Sequence, residues 1–307
     1  MSSADITCAN INALIEFQAL AADYGFEPTY LVSYEVLQSA QSTQILRQLA
    51  RNGNCEIGSH LHSWTTPPFT DLDRIAKPSV CDLPKDTLYE KMVNLDTEIR
   101  KKLELLPKSY RGGRWGFNLT NAIILEDMGY LVDCSVTPYV SWNGQKGMKN
   151  GSDYKHHSPS PFFIANTKKE ILLEVPVSIF IANEHLFGFK PARHIFFSYH
   201  YSSLPNKLLR KLGLKSLWLR PLADNDLSRF KTIHKIAERK GLDILEMMFH
   251  SYELVPGPFS QYKTSKELFD VFKEFFEYLN KHNITGITLK DYYAQVMKKN
   301  TKIISAL

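Results

Sequence analysis

A chain of 307 residues that is 44% hydrophobic and 22% charged has the composition of an ordinary globular protein, long enough for one large α/β domain or two small ones. Its net charge of +5 is mild and its basic residues are spread out, so nucleic-acid binding has no support. No run approaches the roughly 20 apolar residues of a membrane helix, and no signal peptide is visible.

Apolar residues at helical spacing predict a helix over 11–24, with Asn10 as its cap and Gly25 as its stop. Residues 28–34 read as a strand, 42–52 as a helix ended by Gly53, and 55–59 as a strand running into His60. Leu88, Met92, Leu95, Ile99 and Leu103 mark one face of a long helix that Pro107 stops. A strand end over 109–113, a helix over 119–128 and a strand over 130–136 follow. Residues 137–169 read as a long irregular loop, a length that inside a compact domain means function or disorder. After a strand over 171–177 comes a mixed insertion at about 180–225. The chain closes with a helix over 227–240, a strand over 243–249, a helix over 265–281 and a strand over 284–289.

Strands alternating with helices imply a parallel sheet with right-handed crossovers. About seven such strands, with no composition break and no internal repeat, fit one closed or nearly closed β/α barrel domain over 1–307. In such a barrel the carboxyl ends of the strands share one rim.

Four cysteines, Cys8, Cys55, Cys81 and Cys134, show no Cys-x-x-Cys spacing, which suggests a reducing, cytoplasmic compartment. The stretch Asn206 to Arg220 carries basic and apolar faces at helical spacing. It reads either as a peripheral contact with an anionic membrane or polymer, or as a helix packed on its own domain.

The most informative segment is Cys55-Glu-Ile-Gly-Ser-His-Leu-His-Ser-Trp64. Residues two apart on a strand share a face, so His60 and His62 can aim two imidazoles at one divalent metal. The alternative is a solvated pair, or one buried histidine with a backbone partner. Other strands also end in polar groups: Arg111 with Arg114, Asp133 with Ser135, and His250 with Ser251. If the barrel holds, all of these sets face one site.

The motifs Glu56-Ile-Gly-Ser-His-Leu-His-Ser-Trp64, Tyr110-Arg-Gly-Gly-Arg-Trp-Gly-Phe117, Val132-Asp-Cys-Ser-Val-Thr-Pro138 and Met248-Phe-His-Ser-Tyr-Glu-Leu254 occur in that order. Together they resemble the polysaccharide deacetylases of carbohydrate esterase family 4, and most of all their WalW-type branch. The resemblance implies a distorted (β/α) barrel that removes N- or O-acetyl groups from a sugar polymer or glycan precursor with one divalent metal, usually zinc. It implies His60 and His62 as metal ligands, His250 as general acid, Arg111 as the arginine orienting the catalytic acid pair, and Asp133 in support. Trp64, Arg114, Trp115 and Trp142, with Tyr139, would then line a sugar groove.

The chain departs from that pattern at its start. The family opens with a strand ending in an acidic motif that supplies the base and a third ligand. Here Met1-Ser-Ser-Ala-Asp5 runs almost at once into the first helix, and no apolar strand precedes Asp5. Either the native amino terminus lies before Met1 or the protein has lost that strand, and the latter makes a catalytically lapsed relative that binds a glycan or a partner the second expectation. A third is an amidohydrolase-type metal hydrolase, which also uses a His-x-His pair after a strand.

Overall fold

The computed structural model describes residues 8–144, 149–165, 171–198, 203–257 and 260–304. Asp5 lies outside them. In chain order the elements are α1 (Ala13–Asp23), β1 (Thr29–Val32), α2 (Tyr34–Leu37), α3 (Ala40–Arg51), β2 (Glu56–Leu61), α4 (Asp71–Ala76), α5 (Lys85–Leu103), β3 (Ser109–Gly112), α6 (Leu119–Asp127) and β4 (Val132–Asp133). The second half adds β5 (Phe162–Ala165), β6 (Ile171–Glu174), β7 (Ile179–Ile181), α7 (Glu184–Gly188), α8 (Lys190–Ser198), α9 (Leu204–Lys211), β8 (Ser216–Trp218), α10 (Asp226–Arg239), α11 (Ser265–Asn280) and α12 (Leu289–Ile304).

The main sheet has the order β1-β2-β3-β4-β6-β5, with β1, β2, β3, β4 and β6 parallel and β5 antiparallel to β6. A second sheet pairs β7 with β8. The helices cover the sheet with the faces their spacing predicts. In α5, Leu88, Met92, Leu95, Ile99 and Leu103 are all buried. In α11 a Thr264–Glu267 capping box starts the helix, and Leu268, Phe272, Phe275, Phe276 and Leu279 point inward. Residues i, i+4 and i+7 of one helix lie on one stripe, so burying that stripe sets the helix against the sheet.

Five of the expected parallel strands form ladders, and two do not. Residues 243–249 are held by a few bonds to two different neighbours: Ser178 N–H donates to Glu246 O at 3.1 Å and its hydroxyl accepts from Glu246 N–H at 2.8 Å, and Met248 N–H donates to Leu219 O at 3.2 Å. Bonds scattered over two partners make no continuous ladder. Residues 284–288 are tied by Gly286 N–H to Gly25 O at 3.1 Å, and α12 then begins at Leu289. The supposed loop over 137–169 contains β5, whose ladder with β6 pairs Phe162 with Glu174 and Ala165 with Ile171.

The strand β1 pairs with β2 alone among the described residues. A cavity of about 1270 Å³ is lined by residues 26–33, 242–252 and 284–287. One end of it is lined by groups from the carboxyl ends of β2 and β3, so the sheet leads the rim residues into a single concave space.

Candidate active site

His60 lies on β2 and sits in register with Arg111 of β3, and His62 follows one residue past the strand. Each imidazole is anchored by its Nδ1. His60 Nδ1–H donates to the main-chain oxygen of Arg111 at 2.9 Å, and His62 Nδ1 lies 3.0 Å from the Glu35 carboxylate. Such bonds select the tautomer and turn each Nε2 away from its anchor. The two rings are 4.4 Å apart. Burial, with His62 beside it, holds His60 well below the ordinary histidine range, so its ring is neutral and able to donate a lone pair.

Glu35 was not among the sequence candidates. It stands three residues beyond β1, at the same rim, where a rule of polar residues after strand ends also applies. Its other oxygen accepts from the Thr65 hydroxyl at 2.7 Å. Burial works to raise this carboxyl, but the His62 bond and charge and the Thr65 bond outweigh it and hold it down to about 2.

The loop after His62 is braced from below. Lys91 of α5 donates its ammonium hydrogens to Ser63 O at 2.9 Å, Thr66 O at 2.8 Å, Pro68 O and the Asp73 carboxylate at 2.9 Å. This fully buried lysine fixes the turn that carries Trp64. Trp64 stacks on the His62 ring with centroids 4.6 Å apart.

Arg111 is buried at the end of β3. Its Nε donates to Cys134 O at 2.9 Å and its Nη2 pairs with Glu246. Burial opposes its charge, and the acidic neighbours Glu246 and Asp133 overcome that opposition and raise its pKa. Asp133 sits deeper, its carboxylate accepting from the Ser135 hydroxyl at 2.8 Å and facing Glu174 across the β4–β6 register. Burial and the neighbouring Asp133 carboxylate push Glu174 well above the usual range, so the pair keeps a proton between them.

After β3 the chain turns through Gly113, Arg114 and Trp115, the last two with φ of 56° and 60°. A Cβ at Gly113 would lie 2.4 Å from Leu61 O and 2.9 Å from His62 Cδ2, so only glycine lets this turn pass the histidine loop. The turn sets the Arg111 guanidinium 5.2 Å from the Trp115 ring centre and brings Trp115 near Trp142, with centroids 6.1 Å apart. Arg114 donates to Lys77 O at 2.7 Å. Across the cavity His250 Nδ1 lies 3.1 Å from the Glu253 carboxylate, which also pairs with Arg220. The His250 ring stacks on Tyr252 at 4.8 Å.

The cavity therefore brings together His60, His62, Trp64, Arg111, Arg114, Trp115 and His250, with Glu35 and Glu246. Asp133 and Trp142 are not on its wall. Asp133 lies behind Arg111, and Trp142 stands behind Trp115 with its Nε1–H on the Thr137 hydroxyl at 2.8 Å.

The donor chemistry of the histidine pair fits two positions around a divalent ion, because both rings are anchored at Nδ1 with Nε2 left over. Among the described residues no group of three or more His, Cys, Asp or Glu side chains converges as a metal site. The fit extends to two imidazoles and no further.

No protein-family model matches the chain, and no curated protein matches it in sequence. Solved structures match it in fold. A protein assigned as a polysaccharide deacetylase of Mycobacterium smegmatis aligns with a TM-score of 0.56 and 14% identity, over 95% of this chain and 78% of that one. The Puue allantoinase aligns with a TM-score of 0.55 and 13% identity, over 94% and 72%. A protein assigned as a polysaccharide deacetylase of Pseudomonas aeruginosa gives 0.54 and 14%, over 94% and 72%. The chain thus has the α/β fold, built on a mostly parallel sheet, that these polysaccharide deacetylases share with an allantoinase.

Proposed function

We propose that this chain is a metal-dependent hydrolase of the polysaccharide deacetylase superfamily, in its WalW-type branch, removing N- or O-acetyl groups from a glycan. The observation that carries the reading is the histidine pair: both rings are anchored at Nδ1 on the wall of one cavity that also receives Arg111 and His250. His60 and His62 would hold the ion through Nε2, zinc being the usual choice for imidazole donors. When bound, the ion supplies Lewis acidity toward an acetyl carbonyl and a water molecule.

The chain's own groups do the rest. His250, oriented by Glu253, is the general acid that gives its proton to the departing sugar nitrogen or oxygen. Arg111, fixed by Glu246 and Cys134 O, presents a rigid positive charge beside the acetyl site. Trp64 and Trp115 offer flat faces on which sugar rings stack. The four free cysteines fit a reducing compartment, and no helix among the described residues is long and apolar enough to cross a membrane.

A second reading is a glycan-binding relative without catalysis. It is favoured by the absence, among the described residues, of a third donor beside the two histidines. Zinc content and acetate release from acetylated chitin and xylan oligomers separate the two, with allantoin as the control substrate. Near-stoichiometric zinc and acetate release, both lost in His60→Ala/His62→Ala, support the hydrolase. Oligomer binding with neither zinc nor acetate would leave the second reading standing.

A further inference from the structure

The 39 residues from His185 to Ala223 contain seven Lys or Arg (Lys190, Arg193, Lys207, Arg210, Lys211, Lys215 and Arg220) and no Asp or Glu. With Glu184 and Asp224 at its ends, the insertion over 180–225 carries a net charge equal to the chain's whole +5, so the positive excess of the protein resides there. It folds as α7, α8, α9 and β8, beside the rim, where Phe187 of α7 packs edge-on against Tyr139 at 5.6 Å.

An amphipathic helix ordinarily turns its leucines toward its own domain. The helix α9 does this with Leu209, and the turn after it with Leu214; both pack with Ile181 and Ala192. A second row faces the other way. Leu204, Leu208 and Leu212, at i, i+4 and i+8, are 69%, 52% and 65% exposed. Lys207, Lys211 and Lys215 are exposed alongside them at the same spacing. The outward side of this helix and its C-terminal turn is thus a stripe of leucine edged by lysine, and Phe189, between α7 and α8, is also largely exposed.

We propose that this face docks the protein on an anionic lipid surface, the leucines entering the headgroup layer and the lysines meeting lipid phosphates. Charge complementarity selects the partner, since an insertion with seven cations and only Glu184 and Asp224 as acids, both at its ends, is drawn to a negative leaflet. The exposed leucines select lipid over a dissolved polyanion, which would engage the lysines and gain nothing from three methyl-rich side chains. The proposal does not depend on the hydrolase reading, and its test measures binding only.

The experiment is co-sedimentation of the full chain with vesicles of phosphatidylcholine, with and without phosphatidylglycerol. Binding is expected only to the anionic vesicles and is expected to weaken as salt is raised. Lys207→Gln/Lys211→Gln should weaken it at least about tenfold. Leu204→Ser/Leu208→Ser/Leu212→Ser should abolish it without changing the charge. Because these side chains are exposed, unchanged circular dichroism and melting are the folding control. Binding to neither vesicle would overturn the proposal. Anionic binding that the leucine variant retains in full, and that inorganic polyphosphate competes away, would also overturn it, in favour of a polyanion site.

Discussion

Glu35 and His62 are brought together by the parallel pairing of β1 with β2, and meet in a 3.0 Å hydrogen bond that the Thr65 hydroxyl completes on the other carboxylate oxygen. The carboxylate holds the imidazole by Nδ1, so it sets where Nε2 points. Glu35→Gln keeps the shape and removes the charge. Zinc affinity, measured by competition with a chelator, is expected to fall about 10–100-fold, and the melting temperature to fall with it, since a carboxyl held down to about 2 stabilises the fold at neutral pH. Unchanged affinity would mean that His62 does not hold metal.

Lys91 gives the loop beneath the site its shape. Lys91→Met would leave the Asp73 carboxylate and three main-chain oxygens buried without their donor. Breaking a buried charge pair in this way costs about 3–5 kcal/mol. Urea unfolding should register that loss, and a variant as stable as the parent would refute the bracing role.

Gly113 tests the close passage of the two rim loops. Gly113→Ala places a methyl group against Leu61 O and His62 Cδ2, and a stability loss of about 1–3 kcal/mol is expected together with weaker zinc binding. Gly188→Ala is the control, since a Cβ there meets nothing within 4 Å and its change should stay within about 0.5 kcal/mol.

Asp133 and Glu174 oppose each other across the β4–β6 ladder, wholly buried, and the fold raises the affinity of Glu174 for its proton. A carboxyl whose pKa is raised on folding contributes stability that is complete below its unfolded value, about 4.3, and is lost as pH rises through the folded value. Melting temperature should therefore decline as pH rises above about 4.3, and Glu174→Gln, which needs no proton, should flatten that decline. An equally steep decline in the variant would assign the effect elsewhere.

His250 is expected to matter for turnover more than for binding. His250→Gln should lower acetate release about 10²–10⁴-fold with oligomer affinity nearly kept. Equal losses in both would make it a binding residue.

Much of the candidate site's placement was legible before folding was considered, because its signals are local. The i, i+2 spacing of His60 and His62 in an extended segment predicts neighbouring rings, and the structure brings their centroids to 4.4 Å of each other, with His62 one residue past the strand. Arg111, Arg114, Trp115 and His250 follow from strand ends or adjacent motifs and reach the cavity wall. Asp133 and Trp142, read from the same kind of signal, stand one layer behind, because whether a rim residue faces the cavity depends on what already fills the space in front of it.

Most of the helices, the five parallel strands as elements and the position of the histidine pair were set by periodicity along single elements, which hydrophobic burial enforces locally, while the order in which those strands pair was set by tertiary contacts. The carboxylates that orient the site came only from the tertiary structure: Glu246 reaches Arg111 across 135 residues, and Glu35 reaches His62 across 27. The same holds for 243–249 and 284–288, whose apolar sequences suit strands but whose backbones lack a continuous neighbour. A ladder and an ion pair each need two partners, and a sequence read along one chain segment specifies only one of them.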